Sequence, residues 1–551
     1  MAKKREWTLM FYLASDNPLA PGIMSQLKTI KAAGFHKDAN VIVQFDPYTE
    51  ETPTHVFDVN GWRRVKEESE VGFKADSPWV YNVLEDRLWG AQEFDRHGEL
   101  INTRIKAKYE GYEPPLFPPK DAERDTEPNP KRSLCRFINF SAEHYPASRY
   151  MLFILGHGLV VGTQNFLYDE HADQQSLGLK DLGEVLHTFR DSIKRHDGTL
   201  ELLSFHSCSV SSLEVAYELK DYAHYMLASQ GTTFVGSWPY RQILVRIFNS
   251  LVKKERPDTL ESMLRDVFYY CVHNSTDFLL AGYPFHLCLC DLKTLTATRD
   301  AIGSLSRALI NALESKSESF KDSILLAHLK SQSFHEELYT DLADFCRCLF
   351  RRTEKPLTDA GDEVIRTSIQ KSCSDVVSAI QTSVVSANFA GPEYQYAKGL
   401  SIYFPWSQPL DSVWKEYEKH RFNDGAREGA WSRFLKVYFD RTIRDPFSLE
   451  TPIPGETAAQ SGKRDELFED QVAQVYSQAP LQVNQAVFGS LPGPKTDKGD
   501  PMGGQCSCPS IKNYPRDTRG RRKPKDESKP VIFDTFAGRL SQGGNADAPG
   551  D

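Results

Sequence analysis

No stretch of this chain approaches the about 20 consecutive apolar residues needed to cross a bilayer, so the sequence offers no membrane span. Basic residues are not in excess either. Lys and Arg number 66 against 75 Asp and Glu, and the net charge of −9 argues against a nucleic-acid surface as the main business. No glycine-rich phosphate loop opens a helix after the first apolar segment, which removes the support for a nucleotide-binding α/β domain. The amino terminus, MAKKREWTLMFYLASDN, pairs a basic start with an apolar stretch but lacks the small-residue cleavage site of a secretory signal. That stretch is short and aromatic, and it reads as a first core strand leading into Asp16-Asn17; a cytoplasmic protein is expected. The ten cysteines are scattered without a disulfide-like spacing, so free thiols are expected. His286, Cys288 and Cys290 alternate along one strand face as a partial metal set, but a fourth ligand is missing and core packing is the preferred reading. Cys346 and Cys348, two apart on a helix, do not share a face.

What is present is a globular composition, 40% hydrophobic, with ample material for a core in 551 residues. The chain is organised around Leu200 to Tyr240. Leu200 to Phe205 is short and bulky enough for a strand buried on both faces. After the loop His206-Ser207-Cys208-Ser209-Val210, Ser211 to Glu214 reads as a capping box, with Ser211 as the cap. Val215, Ala216, Leu219, Tyr222 and Ala223 then line one helical face. Cys208 is thereby placed above the carboxyl end of a strand, where open α/β sheets put their sites, with a helix N-terminus nearby to favour thiolate.

A cysteine nucleophile needs a base. Arg149 to Leu155 is a second buried strand and ends in Gly156-His157-Gly158. Glycine on either side of His157 lets backbone approach a substrate, and the Gly158 amide is a candidate oxyanion donor. A cysteine after a strand is commonly a small core residue, and a loop histidine commonly has no special role. Their placement on the ends of two buried strands, with a capped helix behind, points instead to acyl transfer.

The chain resembles the clostripain family of cysteine peptidases, relatives of caspases, legumains and gingipains. The matching pieces, in family order, are WTLMFYLASDN, NVIVQFD, YPASRYMLFILGHG, SLEVAYEL, ASQ and GLSIYFP, spread over Trp7 to Tyr438. The resemblance implies a caspase-like three-layer α/β/α sandwich with a mostly parallel central sheet, and a cysteine endopeptidase working through a Cys208–His157 dyad and a thioester. The oxyanion would lie at the amides of Gly158 and Cys208, and the substrate would be a peptide or protein. It also implies that the residue two before the cysteine, here His206, lies at the base of the primary specificity pocket. Relatives carry an aspartate there that pairs with Arg or Lys, and an imidazole cannot replace it, so a preference other than Arg or Lys is expected. Some relatives depend on calcium; this chain has no compact EF-hand-type acidic loop, and no cofactor is assigned from the residues themselves. The competing reading is a catalytically weak or inactive protease-like scaffold that binds a protein partner, supported by the drift at His206 and Ser209-Val210.

Three parts are expected: a catalytic domain over 1–245 with an insertion at about 50–132, a helical and mixed part over 246–445 that completes the peptidase unit, and a disordered tail over 446–551 whose basic cluster is a candidate for partner binding. Ile23, Leu27 and Ile30 form the first helical stripe, and Asp16 and Asp46 sit at strand ends on the expected site edge, where capping and turn roles are commoner than substrate contact. Relatives are often activated by a cut between the histidine and cysteine strands. Lys194-Arg195 and the loop Asp169 to Gln175 are candidate exposed sites for such a zymogen cut. The sequence leaves the oligomeric state open.

Overall fold

The computed structural model describes residues 4–17, 19–33, 36–45, 55–58, 130–158, 166–168, 176–252, 259–275, 284–315, 317–335, 337–354, 360–423 and 430–442. The strands are β1 (Arg5–Leu13), β2 (Ala39–Phe45), β3 (His55–Asp58), β4 (Ala147–Leu155), β5 (Thr199–His206), β6 (Tyr225–Ala228), β7 (Phe285–Asp291), β8 (Ser333–Phe334), β9 (Tyr339–Asp341), β10 (Val384–Ala390) and β11 (Ser401–Tyr403). The helices are α1 (Ala20–Lys31), α2 (Pro130–His144), α3 (Leu179–Lys194), α4 (Leu213–Leu219), α5 (Tyr240–Val252), α6 (Leu260–Asn274), α7 (Leu295–Glu314), α8 (Glu318–Lys330), α9 (Leu342–Arg352), α10 (Ala360–Ser383), α11 (Asp411–Glu418) and α12 (Trp431–Thr442).

The main sheet has the order β10-β7-β6-β5-β4-β1-β2-β3. Its centre, β6-β5-β4-β1-β2, is parallel, and antiparallel strands close both edges. The central strands are near-continuous apolar runs because each is covered on both faces: Ala39–Phe45 is buried at every position. Alternate residues therefore feed two cores. Met10, Tyr12, Leu152 and Ile154 enter one with α2, α3 and α7, while Leu9, Phe11, Met151 and Phe153 enter the other with α1, α5 and α6. On the second face Phe11 stacks on Phe153 with centroids 4.7 Å apart, and Tyr240 meets both rings edge-on. This is the three-layer α/β/α sandwich with a mostly parallel sheet.

The strand expected at His286 to Cys290 is β7, and with β10 it extends the sheet beyond β6. The GLSIYF segment does not join that sheet. Ser401–Tyr403 pairs with β9 in a separate three-stranded sheet of order β11-β9-β8. Within the stretch read as an inserted loop, His55–Asp58 pairs antiparallel with β2 as the far edge strand. One core runs continuously from Met10 to Phe439, so the residues assigned to 1–245 and to 246–445 share it. Among the described residues no helix is long and apolar enough to cross a membrane. The tail over 446–551 lies outside the described residues.

The cap of α4 is Ser212 rather than Ser211. Ser212 Oγ accepts the Val215 N–H at 3.3 Å, whereas Ser211 Oγ donates to the Gly399 carbonyl at 2.7 Å. Glu214 is thus one position too early to close a capping box with Ser212. Its Oε1 instead accepts from the Tyr403 N–H at 2.9 Å and the Tyr417 hydroxyl at 3.0 Å.

Candidate active site

β4 and β5 run parallel, and their last paired residues are Leu155 and His206. Each chain then leaves the sheet by the same count, Gly156-His157 on one side and Ser207-Cys208 on the other. Neighbouring strands lie about 4.8 Å apart, so equal extension past a shared register brings the two candidates to one edge. Gly158 lies hard against the cysteine. A Cβ there would come within 2.0 Å of the Cys208 carbonyl oxygen and 3.0 Å of its Cα, so no side chain fits. His157 and Cys208 are both fully buried.

The histidine is braced from its other flank. β1 ends beside β4, and the Ala14 N–H donates to the Leu155 carbonyl at 2.9 Å. Asn17 Nδ2 donates to the carbonyls of Ala14 at 3.0 Å and Tyr168 at 2.8 Å, and its Oδ1 accepts the Leu19 N–H at 2.9 Å. Tyr168 thereby meets the His157 imidazole edge-on, with centroids 6.0 Å apart and planes at 81°. Asp16 is buried in this same turn; Asp46 lies outside the described residues.

The thiol meets a residue, Thr233, that sequence reasoning did not single out. The Thr233 N–H donates to Cys208 Sγ at 3.1 Å, and the thiol reaches the Thr233 carbonyl at 3.6 Å. Thr233 Oγ1 donates to the Ser207 carbonyl at 3.4 Å. Ser209, directly after the cysteine, has φ +59°, a left-handed conformation that costs a non-glycine residue about 1 kcal/mol. Its N–H donates to the Gly231 carbonyl at 3.1 Å, so the segment after β6 holds the cysteine loop from both sides. These contacts join parts of the chain more than twenty residues apart, and no local pattern marks them.

His206 is enclosed by the continuation of that segment. Its Nε2 lies 2.7 Å from the Phe234 carbonyl and 3.2 Å from Ser237 Oγ, its Nδ1 2.9 Å from the Tyr240 hydroxyl. A carbonyl can only accept, so Nε2 carries the proton and Nδ1 accepts from Tyr240. The ring stacks on Trp238 with centroids 4.5 Å apart and planes at 5°. Burial pushes its pKa down to about 3, against a smaller opposing effect of the Phe234 carbonyl, so the imidazole is neutral. None of these partners is a carboxylate.

The alternating set on β7 resolves into packing. Cys288 and Cys290 belong to the core, with burial raising the Cys288 thiol to about 12, and His286 Nδ1 accepts the Gln230 N–H at 3.2 Å. Among the described residues no group of three or more His, Cys, Asp and Glu side chains could hold a metal ion. Lys194 and Arg195 are exposed at the end of α3, and Asp169 to Gln175 lies outside the described residues.

No curated protein matches the chain. Among solved structures, an inactive zymogen C11 protease from Parabacteroides distasonis is 16% identical, with a TM-score of 0.43, 77% of this chain and 98% of that one being covered. A secreted C11 cysteine protease from Bacteroides thetaiotaomicron, in complex with an irreversible peptide inhibitor, is 13% identical, with a TM-score of 0.45 and coverage of 79% and 99%. The model of the clostripain family matches residues 120–438, more than half of the 551 residues. The chain therefore belongs to the clostripain family of cysteine peptidases.

Proposed function

We propose that this peptidase is an endopeptidase whose dyad is Cys208 and His157. The observation that carries the reading is the shared register of β4 and β5, which extends both residues equally past one sheet edge, with Gly158 pressed on the Cys208 peptide. Cys208 Sγ attacks the scissile carbonyl carbon and forms the C–S bond. His157 takes the thiol proton and delivers it to the leaving amine as the C–N bond breaks. Water, deprotonated by His157, then attacks the thioester and releases the acid. The amides of Gly158 and Cys208 receive the oxyanion, each donor contributing about 3 kcal/mol.

Both side chains are fully buried, so a peptide reaches them only after covering backbone moves. This fits synthesis as a zymogen, and the exposed Lys194-Arg195 pair is a candidate place for the cut. At the specificity position the neutral His206 offers no charge to a guanidinium or ammonium, which supports a primary preference for residues other than Arg and Lys.

Cleavage of a denatured protein by the full chain, compared with Cys208→Ala and His157→Ala, tests the dyad. Both substitutions are expected to remove at least about a thousand-fold of the activity with far-ultraviolet circular dichroism unchanged. Activity surviving in Cys208→Ala overturns the assignment.

A further inference from the structure

The segment that carries Thr233 is itself held from across the molecule. Tyr394 follows Gly391, which has φ +93°, in the short turn Pro392–Tyr394, and its buried ring packs on Phe334 with centroids 5.3 Å apart. The ring fills the space a side chain at Gly231 would need, since a Cβ there would lie 2.5 Å from Tyr394 Cζ. Its hydroxyl accepts the Thr232 N–H at 3.2 Å. The neighbouring Gln230 is fixed as well, with Nε2 donating to Asp341 Oδ2 at 3.0 Å and Oε1 accepting the Gly399 N–H at 3.0 Å. Residues 230–233 are thus pinned to the small sheet and the turn at Tyr394 on one side and to the cysteine loop on the other.

Two contacts from one residue reach Sγ, and they favour opposite states of the thiol. The Thr233 N–H stabilises thiolate, whereas its carbonyl accepts from the neutral thiol. Their lengths decide between them. The N–H contact is the shorter of the two, 3.1 Å against 3.6 Å, which favours the donor as the closer partner of the sulfur.

We propose that residues 231–233 form a cradle for the Cys208 thiolate, and that Tyr394 is the positioning residue that holds it in place. The inference rests on the reading of Cys208 as the nucleophile. Tyr394 touches neither Sγ nor substrate in this account; it acts through the Thr232 N–H and through the space it occupies beside Gly231.

The test is the rate of carboxamidomethylation of Cys208 by iodoacetamide as a function of pH, on the full chain, with modification read at the Cys208 peptide by mass spectrometry. Tyr394→Phe removes one hydroxyl and leaves the ring. The expected result is a profile moved to higher pH, with modification near neutral pH slowed roughly five-fold and the plateau at high pH unchanged. Gly231→Ala, whose methyl must displace the Tyr394 ring, should move the profile the same way. A merely structural role would lower the melting temperature without moving the profile. Cys208 reactivity in the wild type with the same profile in both variants, or a shift to lower pH, overturns the cradle alone. The same chain is first shown to cleave a denatured protein, so that the thiol is known to be accessible; a wild-type Cys208 that stays unmodified at every pH in such active chain overturns the nucleophile reading, and the cradle with it.

Discussion

His206 shows how much a single side chain can settle. Both ring nitrogens are engaged, one face is covered by Trp238, and burial keeps the imidazole neutral. In the proposed pocket such a group cannot stand in for a carboxylate opposite Arg or Lys, and losing a buried ion-pair partner costs about 3–5 kcal/mol. His206→Asp should therefore raise cleavage after Arg or Lys by tenfold or more relative to uncharged residues, read on a peptide library varied at that position. Dominant cleavage after Arg or Lys by the unmutated chain would contradict the specificity reading. The variant should also melt lower, because the new carboxylate faces the Phe234 carbonyl, an acceptor it cannot pair with. His157, Gly158 and Cys208 could be proposed from sequence because strand ends and flanking glycines are local signals, and His206 only through the family resemblance. Thr233 and Tyr394 could not. Thr233 is 25 residues beyond the cysteine it contacts, and Tyr394 is 162 beyond the Thr232 amide it holds.

At the scale of elements, the parallel strands were legible because strands of seven to nine residues that are mostly apolar admit few alternatives. The helix after the cysteine was legible too, but its first residue was misplaced by one. Serines at 211 and 212 both qualify as caps by residue type, and only the tertiary partner of each distinguishes them: Gly399 draws Ser211 away and leaves Ser212 to the Val215 amide. Ser212→Ala should cost about 1 kcal/mol in chemical denaturation. Ser211→Ala should in addition loosen β11, since it removes the donor to Gly399 beside the Ser401–Ser211 backbone bond. Equal stability of wild type and Ser212→Ala would show that the cap assignment is wrong. β10 escaped notice for a related reason. Its sequence, VVSANFA, is poor in bulky residues and no position of it is buried, so it lacks the signal of a core strand and becomes a strand by pairing with β7.

For the whole molecule, burial of titratable groups sets a pH dependence with a definite sign. His206, His286 and His328 are pushed to about 3 and His420 to about 4, in each case chiefly by desolvation. Each favours folding fully above its unfolded value near 6.5, and that contribution is lost as pH falls toward the folded value. Glu214, raised to about 7, and Asp341, raised to about 6, also by desolvation, act oppositely: their contribution is present at low pH and lost as pH rises through those values. Glu218 and Asp344, raised by desolvation as well, act in the same sense as Glu214 and Asp341, so the carboxyls partly offset the proton uptake of the four imidazoles on unfolding. Stability should rise from pH 4 to about 6.5, as read from denaturation midpoints. A flat or falling curve over that range would contradict the burial of these rings. Of these only the burial of His286 was legible in the sequence, from its place in the strand pattern of β7; His328 and His420 could equally have been surface residues.

The central claim is that Cys208 is the nucleophile and His157 its base. The most direct test is treatment of the full chain with a library of peptides bearing a thiol-reactive electrophile, followed by mass mapping of the adduct. The account predicts a single adduct on Cys208, formed in the wild type, strongly slowed in His157→Ala and absent in Cys208→Ala. Adduct on another of the ten cysteines with Cys208 untouched, or equal labelling of wild type and His157→Ala, would contradict it.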